Sequence, residues 1–283
     1  MELSLIDFKI SECVSKVPWL SCQGEELLCV NIAETSVQAI VFVREDLGVD
    51  FCQSYDASSA DDFESTEGEA LALKQIFTLL KQDLQTAGYG ESMQCVVTLE
   101  GYCYMEELEM PLLSRQQLQE ALDWELPEHI PWEQGCYSYG FSTQSIASKD
   151  EENNDVQQVK VYALQNESVT NMLELLRGQG WNCLALTVTE ALEELAEDSN
   201  DFTKVDFYEG FYRPEQLIHL KESYRACIKL GLAYYLKGLV IDFLPAKQKQ
   251  KAWLEARAGL MALLSKLVLV VSMLLIVGAN AGK

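Results

Sequence analysis

Hydrophobic and polar residues alternate along this chain with two periods. Residues 27–33, LLCVNIA, form an apolar run broken only by Asn31, the pattern of a strand buried on both faces. Residues 36–45, SVQAIVFVRE, alternate as its hairpin partner would, and residues 49–57, VDFCQSYDA, complete a meander. The acidic stretch 57–70 reads as a loop. From residue 69 the period changes to that of a helix, with Leu71, Ile76, Leu79, Leu80 and Leu84 as its apolar positions and Gly88 as its stop. Residues 92–100 and 102–110 are strands joined by a tight turn. Ser114 then opens a helix as N-cap, with Gln117 completing a capping box. Leu118, Leu122 and Leu126 make its apolar stripe, alongside Ala121 and Glu125, and Pro127 and Pro131 bound its end. Strands at 134–144 and 158–165 flank a charged turn. A helix with Asn166 as N-cap stops at Gly178 or Gly180, and a strand from Trp181 leads into a short helix. One longer helix over 214–238 leads to LVIDFLPAKQKQK.

No repeat runs through this order. Strand-rich and helical segments mix as β-β-β-α, β-β-α-β-β-α and β-α-α, which predicts an α+β class with mixed α/β layers. The end of the chain obeys other rules. Residues 258–279 form a 22-residue apolar run with one charge, Lys266, long enough to cross a bilayer while the lysine snorkels to the near interface. Lys247, Lys249, Lys251, Trp253 and Arg257 precede it. The basic flank predicts a single-pass transmembrane helix with residues 1–257 on the cytoplasmic side.

Charge sharpens that division. Residues 1–236 hold 14 basic and 42 acidic side chains, and residues 237–283 hold 7 basic and 2 acidic. A chain so acidic argues against a nucleic-acid partner. The nine cysteines include no C-x-x-C pair, and several lie in apolar runs, so reduced core thiols are expected rather than zinc or a disulfide framework. Acidic Glu2 and Asp7 argue against a signal peptide. His129 and His219 stand far apart; the first is expected to be structural, the second an ordinary surface pair with Glu215. No phosphate-loop, dinucleotide or nucleophile-elbow motif occurs. The expectation is therefore no enzyme, no cofactor and no metal.

Residues 109–142, EMPLLSRQQLQEALDWELPEHIPWEQGCYSYGFS, resemble the inserted subdomain of PilM-type actin-like proteins of type IV pilus assembly, whose pattern is E-M-P-x-L-S…A-I-x-W-E-A-E-x-Y-I-P. Glu109, Met110, Pro111, Leu113, Ser114, Ala121, Trp124, Glu125, Ile130 and Pro131 fit it. Residues 159–195 resemble the family's next segment. Ile241, Asp242, Phe243, Leu244 and Pro245, followed by basic residues and the apolar run, resemble the I-N-L-L-P start of PilN, the membrane partner of PilM. The resemblance implies a reduced actin-like, ribonuclease-H-like first lobe over 25–91 and 181–236, after an N-terminal extension 1–24. It implies an inserted β-α-β-β subdomain over 92–180, a PilN-like motif and basic linker over 237–257, and the span over 258–279. The family's first phosphate loop, D-I-G-S-S-S-V-K-A, is degenerate here. Asn31 replaces the metal-side carboxylate, Ala33 the glycine, and Gln38 the lysine, while Glu34 sets a negative charge where phosphate would lie. Only about 40 residues separate Asp198 from the IDFLP motif, too few for the family's second lobe.

The resemblance and the apolar run together imply a scaffold anchored in a bacterial inner membrane, without ATPase activity. It would work with PilN- or PilO-like assembly proteins and membrane lipid, its motif docking in cis or its groove taking another chain. The competing expectations are an active actin-like ATPase and a type II secretion L-type platform protein. Met110, Pro111, Ser114, Trp124, Glu125, Ile130 and Pro131 then mark a binding or packing element, with Trp124 packed inside.

Overall fold

The computed structural model of the chain describes residues 26–34, 36–43, 48–56, 66–145, 156–196, 206–207, 214–237, 239 and 241–246. Glu26–Leu244 is one compact unit. The other, residues 1–25 and Pro245–Lys283, is described only at Pro245 and Ala246, both exposed. The N-terminal extension and the apolar run 258–279 therefore lie outside the described residues. Among the described residues no helix is long and apolar enough to cross a membrane.

Within the unit, β1 (Glu26–Ala33) pairs antiparallel with β2 (Ser36–Val43), which pairs antiparallel with β3 (Gly48–Asp56). The helix α1 (Thr66–Thr86) crosses to β4 (Gln94–Glu100), which lies parallel to β1 on its other side. Further on, β8 (Asn182–Val188) adds parallel to β4, and the two-residue β9 (Asp206–Phe207) adds parallel to β3. The six-stranded order is β8-β4-β1-β2-β3-β9. A second sheet has the order β5-β7-β6, from β5 (Tyr104–Pro111), β6 (Tyr137–Ser145) and β7 (Val156–Gln165), all antiparallel. The mixed α/β class holds, but β4, expected in the inserted stretch, belongs to the larger sheet. Its QCVVTLE is buried over five successive positions, as suits an inner parallel strand covered on both faces. The separate three-stranded sheet thus starts after Gly101.

Each face of the large sheet has its own cover. On one side Leu73, Ile76, Phe77, Leu80 and Leu84 of α1 share a core with Leu28, Val30, Val97 and Leu99. Helix α3 (Asn166–Gly178) adds Val169, Met172, Leu173 and Leu176 to that core. Leu71 and Leu79, expected in the stripe of α1, are instead exposed; the inward arc runs through residues 73, 76, 77, 80 and 84, which is the spacing that keeps one face of a helix inward. On the other side lies α6 (Arg225–Leu232), after α5 (Pro214–Ser223), with Cys227, Ile228 and Leu230 against Leu27, Cys29 and Phe42. The single expected helix over 214–238 is broken at Tyr224 and ends in a π-helical turn, Ala233–Lys237. Gly231 sets how closely α6 approaches: a Cβ there would stand 3.0 Å from Phe42 Cδ2 and 3.2 Å from Cys29 Sγ.

The helix α2 (Arg115–His129) covers one face of the small sheet. The Ser114 hydroxyl accepts from Gln117 N and the Gln117 side chain accepts from Ser114 N, closing the capping box. Leu118, Leu122 and Leu126 are buried with Ile130, Phe141, Val159 and Val161. Pro127 does not end the helix. It lies in the last turn, where its missing N–H removes a single bond, and the helix stops at Ile130, whose N–H reaches Leu126 O. Leu122→Ala should lower stability by about 2–5 kcal/mol, measured by denaturant unfolding of the full chain. The same readout should move by under about 0.5 kcal/mol for an exposed position such as Gln116→Ala.

Candidate functional site

Two places were singled out by the sequence: the turn after β1 and the segment around residues 241–245. At the first, three parallel strands, β1, β4 and β8, end side by side, the location where open α/β sheets bind ligands. Asn31, Thr98 and Thr187 are aligned across them and buried. Asn31 Nδ2 donates to Glu100 Oε2 at 2.9 Å, and Thr189 Oγ1 donates to Asn31 Oδ1 at 3.2 Å. Thr98 and Thr189 hydroxyls lie 3.1 Å apart. Thr189 opens the helix α4 (Thr189–Ala196), and the neighbouring Glu190 accepts from Gly101 N through Oε1 at 3.1 Å, with Oε2 buried and unpartnered. Burial and the adjacent Glu190 carboxylate push the Cys103 thiol up to about 12.

Here the protein's own side chains satisfy one another except at Glu190 Oε2. Asn31 stands opposite Gln38 in the β1–β2 register, half-buried in β2, while Glu34 is exposed on the turn and Ala33 precedes it. The Gln38 carbonyl accepts from the Cys227 thiol of α6 at 3.4 Å. An amide at position 31 can donate to Glu100 and accept from Thr189; a carboxylate could only accept. Among the described residues no group of three or more His, Cys, Asp or Glu is placed to hold a metal.

At the second place the chain leaves the π turn and enters the seam between the two sheets. Ile241, Phe243 and Leu244 are 4–5% exposed and join the core built by Leu186, Val188, Tyr162 and Leu164. The backbone of β8, the outer strand of the large sheet, anchors them. Phe243 N donates to Leu186 O at 2.7 Å, and Leu186 N donates to Asp242 Oδ1 at 3.1 Å. The same oxygen accepts from Leu244 N at 3.0 Å. Asp242 thus supplies the acceptor that a pairing strand's carbonyl would supply, and both outward groups of Leu186 are satisfied. Gly140 of β6 makes room for Ile241, since a Cβ there would fall 2.6 Å from Ile241 Cγ2. Pro245 follows, exposed.

The signature residues around α2 separate. Met110 packs at the edge of the small core, Ile130 is buried within it, and Pro111 offers its carbonyl to Gln157 Nε2 at 2.9 Å. Glu125 lies 3.5 Å from His129 Nε2, with Glu106 3.6 Å from Nδ1, a surface cluster. Pro131 is exposed just past the helix end. Trp124 is not inside: it is 86% exposed. Leu118, Leu122 and Leu126 already fill the sheet-facing arc, and position 124 falls about 200° around the helix from Leu122. Asn166 is not a cap either; it is the first residue of α3 and holds the β6 end, donating through Nδ2 to Gly135 O and accepting from Ser138 Oγ.

Gly140, Glu100, Thr189 and Glu190 were not anticipated. Only Gly140 had a sequence signal, an isolated glycine in a strand pattern, which marks close approach of other groups.

No protein-family model matches the chain, and no curated protein matches it. Solved structures with a similar arrangement include a PilM–PilN type IV pilus biogenesis complex (20% identity, TM-score 0.48, 60% of this chain and 49% of that one). Another is the cytoplasmic domain of EpsL, an inner-membrane component of the type II secretion system of Vibrio cholerae (16%, TM-score 0.39, 59% and 58%). A third is a Bacteroides thetaiotaomicron protein with an actin-like ATPase fold and unknown function (10%, TM-score 0.33, 60% and 55%). This chain spans about half the length of the solved structures it matches.

Two outcomes are expected. Asn31→Asp sets a second carboxylate against Glu100 and should cost about 1–3 kcal/mol at neutral pH. The loss should shrink as pH falls and one carboxyl protonates, and Glu100→Gln should relieve it, both followed by unfolding midpoints. Thiol labelling at pH 8 should modify exposed Cys136 well before Cys103, whose raised pKa keeps it protonated.

Proposed function

We propose that this protein is a membrane-anchored scaffold in the inner-membrane assembly of a type IV pilus or related type II secretion machine, and that it works without hydrolysing ATP. The observation that carries this reading is the seating of Ile241–Leu244 in the seam beside β8. On this reading the PilN-like motif and the PilM-like sheet are one chain, and Ile241–Leu244, buried beside β8, are the motif docked on its own sheet. Fusion supports it further, because a short tether sets the effective concentration of the motif at about millimolar, so a free motif of similar affinity competes poorly. The basic residues 247–257 and the apolar run 258–279 support anchoring with the folded unit on the cytoplasmic side.

The non-ATPase part rests on Asn31, Ala33, Glu34 and Gln38. An acidic turn and an asparagine already bonded to Glu100 and Thr189 oppose a magnesium-bound triphosphate, which would bring further negative charge to the same place.

Limited proteolysis tests the docking. Phe243→Asp with Leu244→Asp should free the segment, raise cleavage between residues 239 and 251, and let the protein capture a labelled IDFLPAKQK peptide that the wild type excludes. Unchanged cleavage and no capture would overturn the cis-docked scaffold. Separately, titration of the full chain with a fluorescent ATP analogue and magnesium should show no binding up to hundreds of micromolar; saturation in the micromolar range would favour the actin-like ATPase instead.

A further inference from the structure

The outward face of α2 carries an anchor that the fold does not use. Trp124, at 86% exposure, sits between Glu120 and Glu128, one helical turn to either side, with Gln117 and Pro127 completing the exposed strip. Among the described residues neither glutamate joins an ion pair; Glu120 accepts only a Gln116 Nε2 bond at 3.2 Å. The cationic groups on this helix are committed elsewhere. Arg115 lies 5.5 Å from the centre of the Phe141 ring, and His129 faces Glu106 and Glu125. A bare indole with a carboxylate at each end suits a lysine or arginine laid over the ring, its charge held by either glutamate. Tryptophan is also the residue most often found anchoring protein interfaces.

We propose that this face binds the basic segment 247–257 of a second copy of the chain. That segment carries Lys247, Lys249, Lys251 and Arg257 around Trp253, with Glu255 its one acid. It is the concentrated complement to a chain whose first 236 residues hold 42 acidic and 14 basic side chains. Ile241 packs on Gly140, on the face of the small sheet opposite to the Phe141 face that α2 covers, and Trp124 points away from the sheet, which favours a neighbour over the same copy. Because the two surfaces differ, the contact is head-to-tail and continues from copy to copy. It does not depend on the pilus or secretion reading.

Co-expression of two differently tagged full-length copies, recovered in detergent and measured by co-purification, tests it. Wild-type copies should co-purify, less so as salt rises. Trp124→Ala in both copies should cut recovery about tenfold with no change in the unfolding midpoint. Glu120→Lys with Glu128→Lys in both copies, or Lys249→Glu with Lys251→Glu in both, should do the same. One copy of each charge reversal should restore recovery, because the reversed face then meets a reversed segment. Absence of wild-type association, association that persists through Trp124→Ala, or failure of the mixed reversals to restore it would each overturn the proposal. Association carried by the apolar run alone would persist in every variant, and so would overturn it too.

Discussion

One backbone residue ties the edge of the large sheet to the segment that fills the seam beside it. Leu186 bonds outward with both its N–H and its carbonyl, to Asp242 and Phe243, while its side chain lies in the core that receives Ile241, Phe243 and Leu244. A strand at a sheet edge has such groups free to pair, and here the partner comes from the same chain, more than fifty residues on. The burial of three large apolar side chains, at about 1.5–3 kcal/mol each, gives the segment its affinity. The two bonds at Leu186 and the gap at Gly140 give it its register.

The polar network at the strand ends follows a complementary logic. Buried polar groups must be satisfied, and a site shaped for a ligand meets that requirement only when filled. Asn31, Thr98, Thr189 and Glu100 meet most of it among themselves. Glu190 meets half, through Gly101 N. The edge at β8 and the strand ends at Asn31, both places where a partner would ordinarily bind, are thus largely occupied from within.

Much of this was legible in the residues, for identifiable reasons. The capping box at Ser114 and the Leu118, Leu122, Leu126 stripe are local patterns, and local patterns set local structure. For β4 the run QCVVTLE, apolar on both faces, says that the strand is buried, not which sheet buries it. A large aromatic such as Trp124 is ordinarily inside; only its angular position relative to Leu122 shows that the inward arc is already full. Asn166 has the residue type of a cap, yet its amide is drawn off by Gly135 and Ser138, partners some thirty residues away that no window of sequence displays. The Asn31 network joins residues up to 158 positions apart, an arrangement that belongs to the folded state alone.

The cover over β8 bears on how the chain can be divided. Composition invites a cut near residue 236, where acidic sequence gives way to basic. Such a shortened chain would keep β1 to β9 and α1 to α6, yet lose Ile241–Leu244 and bare the apolar seam and the outer rung at Leu186. Its solubility would then depend on what that edge meets, since an uncapped strand beside exposed apolar surface is a template for stacking with its own kind. The boundary of the folded unit is therefore Leu244, eight residues beyond the change in charge.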